Sequence, residues 1–194
     1  MARRIVIIQG HPDAAAAHLC HALADAYRDG AVAAGHQVRE TRVADLSFPL
    51  IRSKHDFEHG ERPACIVQAQ REIHDAQHLL LVYPLWLGTM PALLKGFLEQ
   101  VFRYDFAFEP QANGRFEKRL SGRSARIVVT MGMPALAYRW YFCAHGLKNL
   151  ERNILKFAGI SPVRASLFGT IESASASRRA RWLHTMRALG ARAR

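Results

Sequence analysis

The feature that most constrains this chain is the apolar run at 78–83, HLLLVY, which Pro84 closes. After His78 no polar residue alternates with the apolar ones, so both faces of the extended segment need cover, as in the middle of a parallel sheet. Parallel neighbours in turn need crossover connections, and those are usually helices. The next residues supply one. Pro91 suits the first turn of a helix, and Leu93, Leu94, Phe97, Leu98, Val101 and Phe102 then recur as one apolar stripe beside Lys95, Glu99 and Gln100. Strand, loop and helix form a single unit.

Similar units precede and follow it. Residues 4–9 form a short apolar strand, 10–17 a turn, and 18–34 a helix that Gly35 closes. A second strand at 37–43, with Val38 and Val43 among polar residues, suits an exposed edge. Residues 45–63 are polar and Pro-bounded, which predicts an irregular loop, and a helix at 64–76 leads into the central strand. Beyond Phe102, residues 104–119 carry aromatic side chains with no period and are expected to be a connection without elements. A fourth strand at 124–130, an exit loop at 131–134, one helix at 136–157 ended by Gly159, a fifth strand at 162–167 and a tail helix capped by Ser175 or Ser177 complete the chain. Five strands alternating with helices predict an α/β domain: a doubly wound parallel sheet of order 2-1-3-4-5 with helices on both faces.

A length of 194 residues, 49% hydrophobic and 22% charged, suits one such domain over residues 1–194. Cys20, Cys65 and Cys143 are odd in number and lack CxxC spacing, so a disulfide framework is not indicated and a reducing cytoplasm fits. The apolar start is too short for a signal peptide, and no apolar run is long enough to span a membrane. The net charge of +11 is densest at Arg178, Arg179, Arg181, Arg187, Arg192 and Arg194, around Trp182, Leu183, Met186 and Leu189 at helical spacing. That pattern predicts a solvated helix face and no nucleic-acid partner, although net charge alone would suggest one. His55 with His59, and His18 with Cys20 and His21, lack a well-spaced third ligand, so no metal is expected.

In a sheet of this kind ligands sit outside the carboxyl ends of the strands, here at the loops 10–17, 84–91 and 131–134. The first loop launches a helix whose free N–H groups suit a phosphate. Neither GxGxxG nor GxxxxGK[ST] occurs, which disfavours Rossmann dinucleotide and P-loop enzymes, and GxSxG is absent too. The second loop sets Trp86 among Leu85, Leu87 and Gly88, an aromatic slab beside bare backbone. Such a loop fits a flat ligand. An isoalloxazine ring needs an apolar slot for its faces and N–H donors near O4 and N5. The plainer reading is that Trp86 plugs the core.

PLWLGTMPALLKGFLEQVF, with the early IVIIQGHPD, the AFEP segment and the later VVTMG, resembles the flavodoxin-like NAD(P)H:quinone oxidoreductases over most of the chain. The relatives include azo-dye reductases and the flavin-containing ancillary proteins of potassium-efflux systems. The resemblance implies FMN, with FAD as the alternative, and NADPH or NADH as hydride donor to a quinone-like acceptor by ping-pong chemistry. It also implies a homodimer, with contacts through 45–63 and 104–119. Position by position, it places His11 and the backbone of Ala17, His18, Leu19 and Cys20 around the flavin phosphate. Pro84, Leu85, Trp86, Leu87 and Gly88 would line the ring, and Thr130, Met131 and Gly132 would close its pyrimidine edge. Tyr138 and His145 would face ring and acceptor as catalytic donors, with Tyr141 competing for the first role. This chain departs from the family in placing alanines before His18, where Ser or Thr, Phe and Asn are usual, and in setting Trp86 one place early. A rival implication is a flavin-bearing regulatory subunit of a membrane transport protein.

Overall fold

A computed structural model describes residues 1–15 and 17–194. The sequence-predicted turn 10–17 therefore includes one residue, Ala16, outside the described set. In chain order the elements are β1 (Arg4–Gln9), α1 (Leu19–Ala33), β2 (Gln37–Arg42), α2 (Lys54–His59), α3 (Ala64–Asp75), β3 (His78–Pro84), α4 (Ala92–Val101), β4 (Phe108–Pro110), β5 (Phe116–Lys118), β6 (Ser124–Thr130), α5 (His145–Asn149), β7 (Val163–Phe168) and α6 (Ala176–Ala191). The main sheet runs β2-β1-β3-β6-β7 with every pairing parallel, which is the predicted 2-1-3-4-5 order of its five strands.

Every residue of β3 is buried, as its unbroken apolar run requires. Val6, Ile8, Leu79, Leu81, Tyr83, Ile127 and Val129 face α3 and α4 in one core. Ile5, Ile7, Leu80, Val82 and Val128 face the other way, onto Leu23 and Tyr27 of α1 and Met186 of α6. There the two helices come into backbone contact: a side chain at Gly30 would overlap the Arg187 carbonyl, and one at Gly190 the Tyr27 carbonyl. Arg178, Arg179, Arg181 and Arg187 of α6 are exposed, and Ser175 caps the helix by accepting from the Arg178 amide at 3.2 Å.

Three segments differ from the sequence expectation. Within 45–63 a short helix forms, α2, whose Ser53 cap accepts from the Asp56 amide at 3.0 Å and which carries His55 and His59 side by side. The segment is fastened from outside by Arg103, which is 1% exposed. Its guanidinium donates to the carbonyls of Phe57 at 2.8 Å and Gly60 at 2.6 Å, and also to that of Asp56. Residues 104–119 contain the antiparallel hairpin β4-β5, where Phe108 and Phe116 pack on Phe157 with ring centroids 4.9 and 5.4 Å away. The single helix expected at 136–157 is broken. Cys143 and Ala144 adopt left-handed backbone (φ 52 and 48), and wide turns at Ala137–Tyr141 and Leu150–Leu155 flank the short α5.

At the far end of β3 the His78 ring is buried, with Nδ1 2.8 Å from the Ser124 hydroxyl. Burial, then the nearby Arg126 guanidinium, pull its pKa down to about 3. The unfolded chain protonates this residue near pH 6.5. Below that pH the unfolded state binds a proton that the folded state refuses, so stability falls as pH drops from 6.5 towards 3 and is unaffected above it. His78 is expected to contribute up to about 1.4 kcal/mol of lost stability per pH unit in that window. Urea unfolding from pH 7 to 4 should show this slope, and the slope should flatten in His78→Phe.

Candidate functional site

The loop after β3 is tied to the neighbouring strand by the Leu85 amide, which donates to the Thr130 carbonyl at 2.8 Å. Trp86 and Thr89 then exchange backbone hydrogen bonds of 2.9 and 3.0 Å across Leu87 and Gly88. Both central residues have positive φ, 47° and 80°, which is the signature of a type I′ turn. Glycine adopts that backbone freely, whereas a left-handed leucine costs about 1 kcal/mol. The side chains do not fold back to plug the turn. Trp86 is 49% exposed and Leu87 fully so, and a Cβ added at Gly88 would meet nothing within 4 Å. An exposed leucine in strained backbone is doubly costly for a free surface, and it presents an apolar shelf beside open space.

This turn is braced from below. The Tyr138 hydroxyl donates to the Gly88 carbonyl at 3.3 Å and accepts from the Leu147 amide at 3.1 Å. Gly146 lets α5 approach so closely that a Cβ there would overlap the Gly88 carbonyl oxygen and lie 2.7 Å from the Thr89 Cα. Tyr138 is 1% exposed, and burial raises its pKa. The resemblance implied a catalytic donor at Tyr138. In the structure its hydroxyl is committed to two backbone groups, so Tyr138 positions the turn. His145, the first residue of α5, is exposed, and Tyr141, the competing tyrosine, is 81% exposed.

Across from the turn, α1 starts at Leu19 with no side-chain cap on His18. The amides of His21 and Ala22 turn back to the His18 carbonyl at 3.0 and 3.2 Å, while those of Leu19 and Cys20, in the first turn, have no intrahelical acceptor. Three imidazoles gather at this mouth. His11 stacks on His18 with centroids 3.8 Å apart, and His21 stands edge-on to both at 5.4 and 5.5 Å. The rings pack against one another and do not converge on a point. Asp13 fixes the group, with a carboxylate oxygen 2.8 Å from His18 Nε2 and its backbone amide donating to His11 Nδ1 at 3.1 Å. Burial and the adjacent His18 ring hold the His11 pKa below its usual value. Ala17 is exposed beside them. The Cys20 side chain points inward, with Sγ 3.1 Å from the Thr130 hydroxyl and its thiol pushed up to about 12 by burial. Only the Cys20 amide is thus placed to meet a ligand. His11 also reaches Trp86, ring to ring at 6.3 Å, and so links the helix mouth to the turn.

The third loop follows β6. Met131 is buried and its amide donates to the Phe168 carbonyl at 2.9 Å, whereas Gly132 is exposed. A fourth wall, missed from the sequence, comes from the loop after β7. The Thr170 amide donates to Met133 at 3.1 Å and that of Ile171 to Met131 at 3.3 Å, which brings the Glu172 carboxylate onto Gly132. A Cβ at Gly132 would lie 2.9 and 3.0 Å from its two oxygens. The only sequence signal for this wall was that all parallel strands exit on one edge. Leu87→Asn, which tolerates left-handed backbone, is expected to raise unfolding stability by about 0.5–1 kcal/mol in urea denaturation while removing the apolar shelf.

Comparison with known proteins agrees with this architecture. A NAD(P)H oxidoreductase of Haemophilus influenzae that is itself uncharacterized is 29% identical over 131 residues, 66% of this chain and 64% of that protein. The potassium-efflux ancillary protein KefG of Escherichia coli is 33% identical over 75 residues, 39% of this chain and 38% of its own length. The chain thus spans less than two thirds of either relative. A solved NAD(P)H:quinone oxidoreductase from Methanothermobacter marburgensis superposes with a TM-score of 0.83 at 21% identity, over 98% of both chains. The profile of the family described as flavodoxin-like fold matches residues 3–189, and the chain belongs to that family.

Proposed function

We propose that this chain is a flavin-dependent oxidoreductase that takes hydride from NADPH or NADH and passes two electrons to a quinone-like acceptor in the same site. The observation that carries this reading is the strained, unplugged turn 86–89, an apolar shelf at the carboxyl edge of β3 facing an uncapped helix mouth. The residues present fit a flavin nucleotide. Trp86 and Leu87 offer an apolar surface, Gly88 leaves room for a close approach, and the Leu19 and Cys20 amides with the His11 and His18 rings suit a phosphate. Where relatives place Ser or Thr, Phe and Asn, this chain has alanines followed by His18, so backbone and imidazole carry that end. FMN suffices for these contacts, and FAD is the alternative.

When bound, the flavin would supply hydride acceptance from the nicotinamide and two-electron delivery to the acceptor. The chain's own residues bind, orient and shield. Leu85, Trp86 and Leu87 would exclude water from one face of the ring, and Tyr138 holds the Gly88 carbonyl so that the turn keeps its shape. His145 and Tyr141, both exposed near this end, are the candidates to hydrogen-bond an acceptor oxygen. Leu136, Trp140, Tyr141 and Phe142 are 49 to 81% exposed, an apolar run that suits cover by a second copy of the chain.

The test is the visible spectrum of the purified protein, identification of the flavin released on denaturation, and anaerobic bleaching by NADPH followed by recovery with a quinone. A protein that takes up no flavin would overturn the reading. Gly88→Val forces a branched side chain into φ 80, and its Cβ would enter the open space that a flat ligand would use. It is expected to weaken flavin binding at least about tenfold with unchanged far-ultraviolet circular dichroism. The partial likeness to KefG favours a second reading, a regulatory subunit of a transport protein, against which robust turnover by the isolated chain would decide.

A further inference from the structure

We propose that Glu172 sets the reduction potential of the bound flavin, acting as a fixed negative charge at the pyrimidine edge. This inference rests on the flavin reading above and concerns a residue that neither the sequence motifs nor the resemblance brought into the site. Its basis is positional. The loop after β7 is pinned to the loop after β6 by the Thr170 and Ile171 amides, and Gly169 packs against the Ala135 amide so closely that no side chain fits there. The Glu172 backbone is therefore fixed, and its carboxylate rests on Gly132, 2.9 and 3.0 Å from where a Cβ would be. A Cβ at 132 would push the carboxylate off this position.

The carboxylate has no hydrogen bond or ion pair among the described residues, in a chain whose net charge is +11. Two arginines of α6 are engaged with this loop's oxygens. Arg178 donates to the Thr170 hydroxyl at 3.0 Å, and Arg179 to the carbonyls of Ile171 at 3.1 Å and Glu172 at 3.4 Å. They hold the loop by its oxygens and do not pair with the carboxylate, which faces Gly132 in the loop after β6.

The charge matters because of what reduction does to the ring. Hydride transfer delivers two electrons and one proton, so a neutral oxidised ring becomes an anion, with the new charge concentrated around N1 and the C2 carbonyl on the pyrimidine side. A carboxylate nearby opposes that charge, and because the ring carries N3–H in both states, accepting from it does not offset this repulsion in the reduced form. Glu172 thus favours the oxidised flavin over the reduced one, lowering the potential and making the reduced flavin a stronger donor to the acceptor.

The experiment uses the flavin-loaded protein and Glu172→Gln, which keeps shape and removes charge, with Glu109→Gln as a remote control for net charge. Dissociation constants are measured for oxidised and dithionite-reduced FMN, together with the midpoint potential in a dye-equilibrated titration. The expected result is that the variant binds reduced FMN better relative to oxidised FMN by at least about threefold, a rise of about 14 mV at about 29.6 mV per tenfold for two electrons, with the control unmoved. An unchanged or lower potential overturns the proposal. So does a parallel change in both dissociation constants, which would make Glu172 a holder or a plug of the site. A parent protein that binds no flavin in either state would instead remove the functional reading itself.

Discussion

A strand shielded from water on both sides leaves the chain few choices, and β3 is such a strand. Its backbone polar groups can be satisfied only by neighbours within the sheet, and its side chains only by helices above and below. Parallel pairing with β1 and β6 meets the first demand, and α1 with α6 on one face and α3 with α4 on the other meet the second. Because all five strands run the same way, their exits gather along a single edge. The order of the strands reverses between β1 and β3, and there the helix mouth of α1 faces the turn of Trp86.

Much of this was legible in the sequence because it is written in local periodicity. The helix stripe around Phe97, the edge character of Gln37–Arg42 and the cap at Ser175 each need only a few adjacent residues to be recognised. What escaped notice depends on distant partners. The α2 segment has no buried residue of its own and is held by Arg103, 46 residues beyond Phe57. The three-residue strands of the β4-β5 hairpin are kept by Phe157, and the break at Cys143 and Ala144 lets Gly146 reach the Gly88 carbonyl. The same division holds for the site. Trp86, Leu87 and Gly88 announce themselves as an apolar loop between strand and helix, whereas the burial of Tyr138 and the approach of Glu172 follow from packing between separate loops.

The turn at 86–89 shows stability and function pulling apart. A left-handed, fully exposed leucine weakens the fold, and the surrounding structure compensates with rigid support: the Tyr138 hydroxyl beneath the Gly88 carbonyl, the Leu85 amide on Thr130, and the close seat of Gly146. Strain of this kind persists only where neighbours over-determine the backbone. The braces come from beneath, and a Cβ at Gly88 would meet nothing within 4 Å, so the upper side of the turn is open to a ligand.

Arg103 has a different kind of consequence. One guanidinium supplies donors for carbonyls at Asp56, Phe57 and Gly60, the first of which also accepts from the Gly60 amide. With Phe57 also packed edge-on against Tyr104, Arg103 is the main fastening, and a segment held chiefly by one side chain has few half-open states to rest in. Residues 54–61 should therefore exchange their amide hydrogens as one block, detaching and reseating in a single cooperative step while the sheet beside them stays closed.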